Sequence, residues 1–353
     1  MRPMSRPSRS FGFTLLELLV AGAVGIIIII AILTTVDLQR GFHRNSDRLL
    51  SADSSASLAL LAVGRDLENA GFHFPVATLA IRPRDNVAAA LPNGDGTTVP
   101  VTTLGSASAG VIQGTDAIDI ITGNPATVGG FINGIGAVGA IVTFNLDALD
   151  PLMPSDLDAG VGVVGPLLAF QAPGVRCVGK LTSVAGVAVT ATIFPDLEGD
   201  LTGAGTAVAG CPALDMSVYA VMTRKRYLIY QDSTGTFGLY VQNLKDPLNA
   251  QRLGVLGPPV LVAEGIEDMQ ISYNVGAGTW CNKGGFSDCD VMASLNSIQG
   301  IRIQMVSRGT DVANRVGEFR PAVFNHPAGT VDDIPRLVMG TSTMFRNLVY
   351  VGP

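Results

Sequence analysis

The chain has 353 residues, enough for one large domain or two small ones with a sizeable core. A hydrophobic fraction of 47% against 15% charged residues, with 42 glycines, suits small-residue strands and frequent turns better than a helical bundle. The formal charge is −6 although three arginines lie in the first twelve residues, so the acidic remainder would repel polyanions, which excludes nucleic acid as a partner.

Residues 1–12 are basic and polar, holding Arg2, Arg6 and Arg9 without an acid. Residues 13–36 follow as a run of 24 whose only charge is Glu17, long enough to cross a bilayer. The arginines are expected to stay cytoplasmic and the carboxy-terminal bulk to lie outside. The apolar run ends in Thr34-Thr35-Val36-Asp37 with no small-x-small cleavage site after it, so this segment is expected to be retained rather than removed as a secretory signal.

The stretch Gly12-Phe13-Thr14-Leu15-Leu16-Glu17-Leu18-Leu19 resembles the processing motif of type IV prepilins and type II secretion pseudopilins. That resemblance implies that prepilin peptidase cuts between Gly12 and Phe13, that the new amino terminus of Phe13 is N-methylated, and that Glu17 serves assembly. Electrostatics points the same way, because an ionisable group inside an apolar helix costs a few kcal/mol and persists with a partner or a function. The freed amine of Phe13 lies four residues from Glu17, on the same helix face, and it could instead meet Glu17 of a neighbouring subunit. The family favours the neighbour; the spacing permits either. The plainer alternative is an uncleaved signal anchor whose Glu17 reaches toward the headgroups.

No proline occurs between Pro7 and Pro75, and apolar residues recur at Leu49, Ala56, Leu60, Val63, Leu67 and Ala70. One helix is therefore expected from Phe13 to Ala70, transmembrane over 13–36 and amphipathic over 37–72. It would measure about 87 Å at 1.5 Å per residue, so that half of it projects from the bilayer. Gly71 caps it and Pro75 forbids its resumption. The run Arg65-Asp66-Leu67-Glu68-Asn69-Ala70-Gly71-Phe72 further resembles the helix end of PilW-type minor pilins.

From residue 73 to residue 353 the texture becomes β-prone runs separated by Gly, Pro, Asn and Asp, which predicts an antiparallel head with long loops. Early strands are predicted at Ala117–Thr122, Ala140–Leu146 and Val187–Phe194. The main sheet is predicted from Tyr219–Thr223, Arg226–Tyr230, Gly238–Val241, Met269–Tyr273, Ile301–Val306 and Met344–Val351, which alternate more clearly. Residues 262–273, then Ile301-Arg302-Ile303 and Phe345-Arg346-Asn347-Leu348, resemble the late PilW-type pattern. Between residues 84 and 214 that resemblance is patchy, as an insertion or extra subdomain would make it.

Four cysteines, Cys177, Cys211, Cys281 and Cys289, all fall in the head, and an even count there fits two disulfides in an oxidising compartment. The sequence-local pairs are Cys177 with Cys211 and Cys281 with Cys289, although three connectivities are open.

Chemical motifs do not accumulate. Two G-x-G-x-x-G strings, at Gly134, Gly136 and Gly139 and at Gly160, Gly162 and Gly165, open no helix and are read as loops. Gly174 to Lys180 approaches a phosphate loop, but Leu181 replaces the magnesium-binding hydroxyl. His43, His73 and His326 are dispersed, without a metal-site spacing or a serine triad. Acids at Asp196, Glu198 and Asp200, or at Asp332 and Asp333, lack a calcium-loop pattern and are read as solvated turns. No cofactor, no metal and no enzymatic activity are expected.

The chain is thus expected to have an α+β, type IV pilin-like fold: a long amino-terminal helix packed on an antiparallel β-sheet head. The resemblance implies a minor pilin of the inner membrane, its head periplasmic and later on the cell surface, in the tip or initiation complex of a type IV pilus that supports twitching motility and adhesion. Its partners would be prepilin peptidase, other minor and major pilins, inner-membrane lipid and the pilus assembly machinery. The alternatives are a J-type pseudopilin of type II secretion and a membrane-anchored adhesin or ligand-binding module.

Overall fold

The computed structural model describes residues 14–70, 81–93, 97–123, 132–138, 141–146, 167–172, 175–185, 188–194, 218–243, 256–274, 280–281, 298, 300–309, 318–319, 331–332 and 336–344. The chain divides into two units, Met1–Leu50 and Ser51–Pro353. A long helix, α1, runs from Leu15 to Glu68 and contributes to both.

In the first unit α1 is long and apolar enough to cross a membrane. The large aliphatic side chains from Leu15 to Leu33 are exposed, with Leu15 at 82% and Ile27 at 66%. A helix satisfies its own backbone groups and so tolerates such surroundings. Thr34 and Thr35 also satisfy their hydroxyls within the helix, Thr34 donating to Ala31 O at 2.9 Å and Thr35 to Ala31 O at 2.8 Å.

In the second unit α1 turns one small-residue stripe inward: Ala52, Ala56, Ala59, Leu60, Val63 and Leu67 are buried, followed by Ala70. Alanines at this spacing bring the helix backbone close to a sheet. Leu49, expected on the stripe, is instead 46% exposed. The last helical residue is Glu68, and the turn tightens where Ala70 N–H donates to Leu67 O at 3.0 Å. Gly71 lies outside the described residues.

The core under this stripe draws on two sheets, antiparallel apart from the parallel pair Val101–Thr102 with Gly110–Ile112 in the larger one. The larger is organised by the strand Val218–Gln231. Its first residues, Val218–Val221, register with Gln171–Leu168, the middle Met222–Tyr227 with Gly123–Ile118, and the end Arg226–Gln231 with Gln242–Phe237. Ile81–Arg84 borders Ala117–Gly123, and Val260–Glu264 borders Phe237–Gln242. Beyond Leu167–Ala172 the sheet extends through Val175–Ala185, Ala188–Phe194, Ile141–Leu146 and Ile132–Val138. The second sheet has the order Trp280–Cys281, Ile266–Asn274, Gly300–Arg308, Arg336–Met344.

Gly265 carries the chain from one sheet into the other. Its φ is +79°, and a Cβ would stand 3.0 Å from Arg308 O, so only glycine makes the crossing without strain. Its N–H donates to Phe237 O at 3.0 Å and its carbonyl accepts Arg308 N–H at 2.8 Å, tying both sheets to the corner.

The α+β layout agrees with expectation, but several elements differ. Tyr219–Thr223 and Arg226–Tyr230 are one strand, because Arg224 and Lys225 between them pair with Asp119 and Asp66. Gly134 and Gly136, read as loop, lie on Ile132–Val138, and Val175–Lys180 lies on Val175–Ala185. The final described strand is Arg336–Met344; the predicted Met344–Val351 lies beyond it, outside the described residues except for Met344. Ile266–Asn274 does not alternate but is buried on both faces.

Candidate functional site

Gly12 and Phe13 lie outside the described residues, and the helix is described from its cap onward. Thr14 donates to Glu17 Oε2 from its backbone N–H at 2.9 Å and from its hydroxyl at 3.0 Å. Glu17 N–H returns a hydrogen bond to Thr14 Oγ1 at 3.3 Å. This is a reciprocal capping box, formed because Thr and Glu stand three residues apart where the apolar run begins. It places the only acid of that run in the first helical turn, where the helix dipole favours negative charge. Sequence spacing alone leaves Glu17 in need of a cation; the structure supplies hydrogen-bond donors, which satisfy the oxygen without neutralising its charge.

Ion pairs buried in the head form the second notable cluster. Asp119 is fully buried on Ala117–Gly123, beside Arg224 and Arg226 of Val218–Gln231. Arg226 reaches Asp119 Oδ1 through Nε at 2.6 Å, and Arg224 donates to Asp119 Oδ2 through Nη2. Arg84 Nε stands 3.8 Å from the same oxygen. Burial alone would raise the Asp119 carboxyl, but the guanidiniums of Arg224, Arg226 and Arg84 outweigh it and hold the group far below the usual carboxylate range. Arg226 extends the network through Nη1 to Gln242 Oε1 at 3.4 Å, and Gln242 Nε2 donates to Asn93 Oδ1 at 3.0 Å and Gly257 O at 2.8 Å.

Three residues before Asp119, Asp116 joins the two sheets. Its Oδ1 accepts Asn86 N–H at 2.8 Å and its Oδ2 accepts Ile271 N–H at 2.7 Å. Burial first, then the Asp85 carboxylate beside it, push this group well above the usual carboxylate range. Glu267 pairs with Arg336 across the second sheet.

The expected cysteine sites meet the structure unevenly. Cys281 is buried in the second sheet and is disulfide-bonded. The backbone of Cys177 lies on Val175–Ala185, while Cys211 and Cys289 are outside the described residues. His43 is exposed on α1. His73, His326, Gly160, Gly162, Gly165, Asp196, Glu198, Asp200 and Asp333 are outside the described residues. Among the described residues no three of His, Cys, Asp and Glu gather as metal ligands. A cavity of about 260 Å³ is lined by Asn93, Pro100, Tyr230, Gln242, Leu256 and Pro259 among others, without a carboxylate, histidine or lysine among the described residues.

The buried charges were the residues that pattern reading missed. A signal for them exists: Asp119 interrupts an apolar strand, and Arg224 and Arg226 share one face of another, a placement that burial permits only for partners. The chain matches no protein-family model, no curated protein and no solved structure.

Proposed function

We propose that this chain is a minor pilin of the PilW type. It is inserted in the inner membrane by the first part of α1, cut between Gly12 and Phe13 by prepilin peptidase, and assembled into the tip or initiation complex of a type IV pilus. One observation carries the proposal most: the exposed aliphatic surface from Leu15 to Leu33 begins directly at the Thr14–Glu17 cap. In the bilayer that surface is covered by lipid. In a filament it is covered by the equivalent helices of other pilins, so lateral helix packing supplies cohesion.

The chemistry of the cut follows from the same turn. Thr14 and Glu17 both lie after the Gly12–Phe13 bond, so processing keeps the cap and adds a positive amine one residue before it. That charge is what the cap itself lacks. It is available to Glu17 of the same chain or of a neighbour, and a carboxylate in hydrocarbon gains most from such a pairing. The head would occupy the periplasm before assembly, a compartment that suits the bonded Cys281.

Mass spectrometry of the mature amino terminus tests the proposal. The expected result is N-methylated Phe13 in molecules recovered from filaments. Filament-incorporated molecules that still carry Met1–Gly12 would overturn it.

A further inference from the structure

The cavity of about 260 Å³ in the head lies where separate stretches of chain meet, and Asn93 and Gln242 fasten those stretches together. Asn93 donates to Thr97 O from its backbone at 2.9 Å and to Thr97 Oγ1 from Nδ2 at 3.0 Å, while its carbonyl accepts Leu256 N–H at 2.9 Å. Gln242, fully buried, donates from Nε2 to Asn93 Oδ1 at 3.0 Å and to Gly257 O at 2.8 Å. A wall held by its own hydrogen bonds is formed before a ligand arrives, which lowers the cost of binding.

The rest of the lining decides what fits. Tyr230 supplies an aromatic ring, set by an edge-to-face contact with Tyr240 at 5.0 Å between centroids. Pro100, Pro258 and Pro259 supply rigid apolar surface. The hydroxyls of half-buried Tyr230 and exposed Thr98 have no hydrogen-bond partner among the described residues, so both are available to a ligand. No charged side chain lines the cavity among the described residues, and Asp232, two residues beyond Tyr230, is engaged by the backbone N–H groups of Thr234 and Thr236 at 2.8 and 3.0 Å. An ionic ligand would lose its water here without gaining a counter-charge. The volume falls just below the range of about 300–1,000 Å³ usual for small-molecule sites, so it admits one ring rather than a chain.

We propose that this cavity binds a single neutral pyranose unit of a carbohydrate, with the apolar face of the sugar against Tyr230 and the prolines and its hydroxyls on Tyr230 Oη and Thr98 Oγ1. An aromatic ring beside uncharged hydroxyl groups matches the division of a sugar into a C–H face and a polar rim. The site stands on the head alone and does not depend on what the membrane helix assembles with.

Saturation-transfer NMR on the full-length chain tests the site, in a polyoxyethylene detergent, whose headgroup is not a sugar. The probes are the methyl glycosides of glucose, galactose, mannose and N-acetylglucosamine. At least one should receive saturation at its ring protons, with a Kd on the order of 1 mM. Tyr230→Phe, which removes only the hydroxyl, should weaken that binding about fivefold, the equivalent of one hydrogen bond. Thr98→Trp, at an exposed position, should fill the mouth of the cavity and abolish transfer. No transfer to any of the four glycosides beyond the detergent blank, or full transfer with Thr98→Trp, would overturn the site; so would transfer to a tetraproline peptide and to no sugar. Should Thr98→Trp fail to fold, the Tyr230→Phe titration decides: a loss of about fivefold supports the site, and unchanged affinity refutes it.

Discussion

The Tyr227 hydroxyl donates to Asp66 Oδ2 at 2.6 Å, joining the end of α1 to the central strand of the larger sheet. Lys225, two residues earlier on the same strand face, meets the same carboxylate at 2.8 Å. The two contacts differ in worth. Tyr227 is buried, its phenol pushed up by burial and by its bond to Asp66, whereas the Lys225 side chain is 47% exposed and screened.

Tyr227→Phe is therefore expected to lower unfolding free energy by about 1.5–3 kcal/mol, the range for a hydrogen bond to a charged group. Lys225→Met should cost less than about 1 kcal/mol. Denaturant unfolding of both variants checks the ranking, and a Lys225 effect exceeding that of Tyr227 would contradict it.

Stability should fall as pH rises from about 4. Asp116 has a folded-state pKa raised above its unfolded value of about 3.9, so above that pH the unfolded chain releases a proton the folded chain still holds. The loss approaches about 1.4 kcal/mol per pH unit and ends once pH passes the folded pKa. Asp119 has the opposite sign: its stabilisation is complete above about pH 4 and is lost only in acid. Asp85→Asn removes a charge that helps hold Asp116 protonated, so the loss of stability should end at a lower pH, while burial keeps the slope just above pH 4. Urea titrations at several pH values provide the measurement; a loss that ends at the same pH in the variant would show that Asp85 is not a cause.

If the chain is processed and assembled as proposed, Glu17→Ala should leave cleavage at Phe13 intact yet impair incorporation into filaments, because in that proposal the peptidase acts on the Gly12–Phe13 junction while assembly uses the charge. Gly12→Ala should be processed better than a bulky replacement. Thr14→Val removes both cap hydrogen bonds made by the Thr14 hydroxyl and should weaken the first turn by about 1 kcal/mol, with a milder assembly defect than Glu17→Ala. Immunoblots of membrane and sheared-filament fractions separate processing from assembly. Normal filament incorporation of the Glu17 variant would argue against the electrostatic role.

For the cysteines, nonreducing peptide mapping should join Cys281 to Cys289 and Cys177 to Cys211. Loss of the short Cys281–Cys289 loop by Cys281→Ser should cost about 2–3 kcal/mol in the chain-entropy model. Recovery of Cys281 linked to Cys177 or Cys211 would replace the local pairing.

Particular residues show how much was legible in advance. Glu17 stood out because a single acid in a long apolar run has few explanations, yet its bond with Thr14 required the helix to start where it does. Arg224 and Lys225 read as a break between two strands. They lie instead within one strand, since Arg224 points to Asp119, over a hundred residues earlier, and Lys225 to Asp66 on the helix. Leu49 continued the apolar spacing on paper, but the buried stripe begins at Ala52.

Local chemistry in the linear chain was enough to specify the long helix, the apolar membrane-length run and the β-rich character of the head, because each depends on neighbours a few residues away. Which charges are buried, which aspartate loses its proton and which holds it, and how one strand serves several partners were decided by contacts between distant segments. Desolvation and pairing depend on what surrounds a group in space, and periodicity carries no record of that.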